Sequence, residues 1–598
     1  MGAREGREPV PVHAAREEAG PHVIRFAAPD IVRTERPGGG FILASRVPAP
    51  PHLRCLGDAL TGWAVATPDR TLFAEREPAG TWRRVTYAGA LQIVRSLGQA
   101  LLDLGLGPRR PLLVLSGNSI DHALLALAAM HVGVPVAPLS PAYSLISTDH
   151  AKLRALAAVL DPGAIFVADR AAFSRAVAAL APTIPVLDSQ RIAALRKTPV
   201  TSEVDIAHAA IDGDTVAKLL FTSGSTGTPK AVINTQRMLC ANQAGLAAGW
   251  AFLADRPPVI VDWLPWSHTF GGNHNMNLVL VHGGTMYIDA GKPAPGAFDA
   301  TLKNLREVPS TIYFNVPRGF DMLVGHLESD AALRTTFFSE LDVLFYAAAA
   351  LSPATWRRLE AVAAQAGRAI AMTSAWGSTE TSPLITQVCF AIDRAGVIGV
   401  PIPGVELAFV PSGDKLELRV RGPNVGPGYL RADGNIEPLP LDELGFYPMG
   451  DAGRLADPST PEAGVVFDGR TSENFKLSSG TWVHVGELRL ALVAACSPHI
   501  SDAVITGHDR AELGALVFLA PGCVDTAELR STLAAALANQ GGSASTRIAR
   551  LLILDEPPSI DAGEITDKGY INQRAVLGRR ADAVERLYRD DVDGILRL

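Results

Sequence analysis

Two periods alternate along the chain. Residues 111–116 (PLLVLS) form an unbroken apolar run, which predicts a strand buried on both faces. Residues 119–131 follow, with Asn118 or Ser119 in front as a cap, and predict a helix. A further short apolar run at 134–139 completes a βαβ unit. The same rhythm continues through runs at 164–168, 259–264, 285–288, 310–315, 343–346 and 369–373, with helical stretches such as 353–365 between most of them. From about residue 55 to 400 this predicts a large α/β region of mainly parallel sheets with helices.

The texture changes near Gly399. Residues 405–410 and 415–420 read as strands around the turn Ser412-Gly413-Asp414, and 422–428 is a Gly/Pro loop. That predicts a small β subdomain. Beyond Asp468-Gly469-Arg470 the strands and helices are mixed, which predicts a separate, small C-terminal α+β domain. The expected organisation is therefore 1–50 as a loosely organised Pro-, Gly- and Arg-rich segment, 51–469 as the large domain, and 470–598 as the small one. There is no internal repeat.

Composition narrows the choice of partner. Of 598 residues, 47% are hydrophobic and 19% charged, which excludes a disordered chain. The net charge is −7, so no basic excess calls for nucleic acid and no polybasic run calls for a membrane. The longest apolar stretch, 123–139, is broken by His131, Pro135 and Pro138. The first twenty residues hold no apolar core of a secretory signal, and Gly6 stands where a myristoylation site needs Ser or Thr. Five cysteines lie far apart with no CxxC, a spacing that offers neither a disulfide framework nor a structural zinc motif. A reduced, cytoplasmic protein is expected. Only nine of the 54 basic residues are lysines, so a lysine in an unusual stretch stands out.

The most informative stretch is 219–232, LLFTSGSTGTPKAV. A strand at 216–221 runs into Thr222, Ser223, Gly224, Ser225, Thr226, Gly227, Thr228, Pro229 and Lys230. Two glycines let backbone N–H groups approach a ligand, five hydroxyls add donors, and Lys230 adds charge. A polyphosphate needs that combination; the plain alternative is a Ser/Thr/Gly turn between strand and helix. It is not a Walker A loop, because Pro229 precedes the lysine and Ala231 follows it.

Here the chain resembles the acyl-adenylate-forming superfamily of acyl-CoA synthetases, adenylation domains and luciferases. The loop is similar to that family's phosphate-binding loop, and other motifs follow in the family's order. Trp266-Ser267-His268-Thr269-Phe270-Gly271-Gly272 resembles the segment that lines the acyl site. Ala347-Ala348-Ala349-Ala350-Leu351 resembles the adenine segment, with alanine where glycine is usual. Ala375-Trp376-Gly377-Ser378-Thr379-Glu380 resembles YGxTE, Tyr447-Pro448-Met449-Gly450-Asp451 the ribose motif, and Gly469-Arg470 the pair before the hinge. A narrower resemblance, to the feruloyl-CoA synthase branch, rests on 475–483 (FKLSSGTWV) and 563–574 (GEITDKGYINQR).

The resemblance implies ATP and coenzyme A as co-substrates of a small carboxylic acid, Mg²⁺ on Glu380, and a mobile C-terminal domain. Thr222 to Gly227, Lys230 and Thr379 would hold phosphates; Ala348, Trp376 and Gly377 would frame adenine, with Trp376 as a flat stacking face. Asp451 and Arg470 would hold ribose. His268 would line or gate the acyl pocket, where Gly271-Gly272 would leave room for a flat ring. Lys568, followed by Gly569, would be the catalytic lysine, and Glu473 the hinge. A homodimer stays open. Three rivals remain: a carrier-protein adenylation domain, which usually carries an Asp near 268; a luciferase-like oxygenase; and a nucleotide-binding pseudoenzyme.

Overall fold

The computed structural model describes residues 24–222, 229–294, 296–349, 351–471, 475–520, 522–538, 543, 545–565 and 571–598. Glu473 and Lys568 lie outside them, as do Ser223, Gly224, Ser225, Thr226 and Gly227.

The βαβ reading at 111–139 is found where expected. Strand Leu112–Val114 pairs in parallel with Val136–Pro138 and with Ala164–Phe166. Between them runs helix Ile120–His131, capped by Ser119, whose hydroxyl accepts from the His122 N–H. Every residue of that helix is buried, which explains why its sequence shows no polar face. Val136–Pro138 then adjoins Val216–Thr222. Here the eight-stranded sheet changes sense, because Lys230–Thr235 returns antiparallel to Val216–Thr222, with Lys230 opposite Thr222. The Ser/Thr/Gly stretch therefore joins the two strands of a hairpin rather than a strand and a helix. Gly428–Leu430 pairs next to Lys230–Thr235.

A second, eleven-stranded sheet begins with the parallel strands Ile312–Asn315, Val343–Tyr346 and Ala371–Gly377. It continues antiparallel through Leu384–Gln387, Val397–Pro401, Val465–Arg470, Tyr447–Leu455, Lys415–Arg421 and Glu406–Ser412. The expected β subdomain is thus an extension of the α/β core. The sheet ends on a hairpin, Phe41–Ser45 with Ile31–Glu35. Residues 31–45 are consequently ordered, which corrects the expectation of a loosely organised first segment. The reason is local: Phe41 and Leu43 alternate inward, Leu43 pairs with Leu407, and Phe41 stacks on Phe409 at 4.4 Å.

The C-terminal part has its own core around the strands Ile500–Thr506, Leu513–Leu519, Ile548–Leu554 and Ile595–Arg597, with helices packed on them. A polar clamp fastens it to the large domain. Asp561 Oδ2 accepts from the backbone N–H and the hydroxyl of Thr148 at 3.1 and 2.9 Å, and Lys152 Nζ donates to the Ile560 carbonyl at 2.5 Å. Among the described residues no helix is long and apolar enough to cross a membrane.

The clamp gives a test. Asp561→Ala removes both bonds to Thr148, each a bond to a charged acceptor. Limited proteolysis within 470–476 should then run severalfold faster than in the wild type, since cleavage follows the population of opened protein. An unchanged rate would show that the clamp does not hold the two parts together.

Candidate functional site

Lys230, Glu380 and Tyr447, from three separated motifs, meet at one side chain that the sequence reading did not single out. Tyr429 lies on Gly428–Leu430, directly across from Val232. Lys230 Nζ sits 4.4 Å from the centre of its ring and 3.9 Å from Glu437 Oε1. A cation over a phenol face is attractive, by about 0.5–2 kcal/mol. The Tyr429 hydroxyl donates to Glu380 Oε1 at 3.2 Å and lies 3.3 Å from the Tyr447 hydroxyl. Burial, reinforced by the Glu380 charge, pushes the Tyr429 phenol well up from its ordinary value and the Tyr447 phenol to about 12. Both phenols stay protonated at neutral pH.

Glu380 occupies a single 3₁₀ turn, Thr379–Thr381, at the end of strand Ala371–Gly377. Its carbonyl accepts from the Gly426 N–H at 2.8 Å, and the Thr379 carbonyl accepts from Asn234 Nδ2 at 3.1 Å. Gly377 is required there, because a Cβ would stand 1.6 Å from the Pro383 carbonyl oxygen. The carboxylate is 8% exposed. A hard oxygen donor so placed is of the kind Mg²⁺ takes.

Asp451 and Arg470 face each other across two paired strands, with Arg470 Nε 3.6 Å from Asp451 Oδ1. Trp376 Nε1 donates to Asp451 Oδ2 at 2.8 Å. The Trp376 indole is packed into the main core and only 8% exposed. Its recorded polar contact is the one that orients Asp451, so the stacking face expected of it is largely covered. Ala348 is exposed and takes a left-handed backbone conformation, φ 73°, the conformation that explains why glycine is usual in this segment.

His268 is half-buried and leads into a π-helical stretch, Thr269–Asn275, a distortion that frequently marks functional sites. Gly271 and Gly272 do not open room for a ring. A Cβ on either would stand 2.3 Å from the Leu264 carbonyl oxygen or 2.4 Å from that of Trp266, so the glycines serve close backbone packing. Beneath them lies a buried polar layer the sequence reading missed. Lys218 Nζ donates to the Gly272 carbonyl at 2.6 Å, and Asn273 Nδ2 to Asn234 Oδ1 at 2.7 Å. Asn234 thus ties the His268 segment to Thr379. Burial alone lowers the Lys218 ammonium to about 7. Its signal was in view, as one of nine lysines and set inside the apolar strand VAKLLF.

The AMP-binding enzyme model matches residues 60–430, and the AMP-binding enzyme C-terminal domain model matches 475–592. The chain belongs to the AMP-binding enzyme family. Within that family it is 24% identical over 603 residues to the long-chain-fatty-acid–CoA ligase FadD15 of Mycobacterium bovis, covering 88% of this chain and 95% of the relative. It is 28% identical over 475 residues to the probable non-canonical nonribosomal peptide synthetase CymA of Salinispora arenicola, covering 77% of this chain but only 6% of that relative's length. Among solved structures, the anthranilate CoA ligase AuaEII in complex with anthranoyl-AMP superposes with a TM-score of 0.70 at 18% identity, covering 90% of this chain and 99% of that one. ATP-bound MatB from Rhodopseudomonas palustris superposes with a TM-score of 0.64 at 21% identity, over 89% and 100% of the two chains. A large N-terminal α/β domain followed by a small C-terminal domain is therefore the architecture of this chain too.

Lys218 carries a pH signature. A lysine whose folded pKa lies near 7 against about 10.4 unfolded favours the folded state most when deprotonated. Its contribution therefore grows as pH rises from about 7 to 10 and is lost as pH falls back. Urea unfolding of the wild type and of Lys218→Met should show the wild type gaining stability relative to the variant across that range. A difference that stays flat from pH 7 to 10 would show that Lys218 is charged in the fold.

Proposed function

We propose that this chain is an ATP-dependent acid–CoA ligase acting on an aromatic acid of the hydroxycinnamic class, ferulic acid among them. The observation that carries the ligase reading is that Lys230 and Glu380 meet at Tyr429, while Trp376, from the same segment as Thr379 and Glu380, bonds to Asp451, which in turn faces Arg470. The acid's carboxylate oxygen attacks the α-phosphorus of ATP and pyrophosphate leaves. The thiol of coenzyme A then attacks the acyl carbon of the acyl-adenylate and AMP leaves.

Each group has a task that electrostatics assigns. Lys230, together with the loop 222–228, holds the phosphates. Glu380 would hold Mg²⁺, which supplies charge neutralisation on the phosphate oxygens. Asp451, oriented by the Trp376 N–H, accepts from ribose hydroxyls, and Arg470 sits beside it. His268 lines the acyl pocket, and Lys568 stands between two anions, the carboxylate and the α-phosphate. Rotation about Glu473 would then exchange Lys568 for the thiol.

The aromatic choice rests on the segments 475–483 and 563–574, and AuaEII, an anthranilate ligase by name, is compatible with it. The fatty-acid ligase FadD15 favours an aliphatic reading instead. A panel of acids assayed for ATP- and CoA-dependent AMP formation separates them. Hydroxycinnamates should give the highest kcat/KM, and a far higher value for long-chain acids would overturn the aromatic assignment.

The half-reactions test the lysine. Lys568→Ala should lower adenylation of acid by ATP by ~10²–10³, the usual loss when one preorganised transition-state donor is removed. Conversion of a supplied acyl-adenylate to thioester should change little. Adenylation within about tenfold of wild type, ~1.4 kcal/mol, would remove Lys568 from the mechanism.

A further inference from the structure

Far along the sequence from the Tyr429 junction, three donors of different chemistry meet where helix Leu56–Ala66 begins and helix Ser202–Ala209 ends. The Cys55 thiol, an Asp58 carboxylate oxygen and a ring nitrogen of His208 all lie within 4.8 Å of one another. A tetrahedral Zn²⁺ with bonds of about 2.0–2.3 Å needs donors separated by roughly 3.3–3.8 Å, and His208 Nε2 stands 3.1 Å from Asp58 Oδ1. No sequence spacing showed this cluster, because its members are separated by 150 residues.

The imidazole is set up as a ligand. His208 Nδ1 lies 3.2 Å from the His131 carbonyl oxygen. A carbonyl only accepts, so Nδ1 carries the hydrogen. In the neutral ring Nε2 then presents a lone pair to a carboxylate oxygen. The Arg54 guanidinium donates to both atoms, and a metal cation in its place would have to spread them slightly. The hydrogen bond from the far nitrogen to a backbone carbonyl is the arrangement that orients metal-bound histidines.

The surroundings are shaped for the cluster. Gly57 lies between Cys55 and Asp58 in sequence, and a Cβ there would stand 2.7 Å from His208 Cε1 and 3.1 Å from His131 Nδ1. His131 is 2% exposed, stacks on His208 at 4.0 Å, and neither of its ring nitrogens has a hydrogen-bond partner. Cys240, also buried, lies close enough to Cys55 and Asp58 to feel their charge. The three-donor cluster is thus flanked by a second imidazole and a second buried thiol. At present Arg54 Nη2 fills the cationic place, 2.7 Å from Asp58 Oδ1 and 3.3 Å from His208 Nε2. Its side chain is 38% exposed, and its Nη1 also donates to the His208 and Ile211 carbonyls at 2.9 and 2.6 Å, so a metal would have to displace one end of an anchored guanidinium.

We propose that Cys55, Asp58 and His208 form a binding site for a thiophilic divalent cation of the zinc class, for which Arg54 is the competing occupant. The thiol gives up its proton on binding, a water completes the tetrahedron, and the cation pins the 202–209 helix to the 56–66 helix. Leu56 N–H also donates to Gln236 Oε1 at 3.0 Å, which connects the same turn to the helix that follows the Lys230 strand.

The test uses the full chain, stripped by a chelator and titrated with Co²⁺ and with Zn²⁺. One equivalent of Co²⁺ should give a thiolate-to-cobalt band in the near ultraviolet, and one equivalent of Zn²⁺ should raise Tm. Cys55→Ser and His208→Asn, each checked for a native circular-dichroism spectrum, should lose the band and the Tm shift. Arg54→Met should bind at least about tenfold more tightly. Cys523→Ala, in the C-terminal part, should bind as the wild type does. Absence of a band in the wild type, a band that survives Cys55→Ser or His208→Asn, or one that disappears in Cys523→Ala would overturn the site. So would weaker binding in Arg54→Met, which would show that the guanidinium supports the cluster rather than competing for it.

Discussion

The hydroxyl of Tyr429 must keep its proton. Buried beside Glu380, it cannot ionise at neutral pH, so it remains a donor, and a donor is what a carboxylate in that place needs. Its ring meanwhile carries the Lys230 ammonium on one face. A direct Lys230–Glu380 pair would neutralise both groups and leave neither for phosphate or metal. With the phenol between them, Lys230 lies over its ring and Glu380 on its hydroxyl, and the carboxylate that Lys230 approaches is Glu437, at 3.9 Å. The short strand that carries Tyr429 exists to deliver that one side chain to the edge of the Lys230 hairpin.

The polar layer under the His268 segment obeys a related rule. Buried amides and one buried lysine bond to backbone carbonyls and to each other, and a π-helical stretch lies above them. Low dielectric makes such groups expensive unless paired, so the layer fixes the backbone closely. The His268 segment and the Glu380 turn share Asn234, and their separation is set by one side chain rather than by a flexible loop.

Much of this was legible in the sequence because each motif is short and each reports its own residue types. The βαβ unit, the Ser119 cap and the helix at 353–365 followed from periodicity, and Lys230, Glu380 and Asp451 followed from their motifs. What the sequence hid was meeting. Tyr429 lies in no chemical motif, and its importance comes from standing across a sheet from Val232. Trp376 was expected to face a ligand, and the structure turns its N–H to Asp451. Gly271 and Gly272 signalled space, whereas the backbone of 264–266 occupies it. The hairpin at 31–45 sits in Pro/Gly/Arg-rich sequence, yet Phe41 and Leu43 on one strand and Ile31 on the other suffice once a sheet edge is available. Lys218 was noticeable by type but not by environment, since burial is a property of the whole fold.

Arg470, the partner of Asp451, is the last residue of its strand, and Phe475 opens the next described one. Five residues of extended chain reach at most about 17–18 Å. Whatever arrangement the C-terminal part adopts, its point of entry stays on a leash of that radius anchored beside Asp451. Its first residue is therefore confined to a sphere of that radius around Arg470, whatever the orientation of the rest.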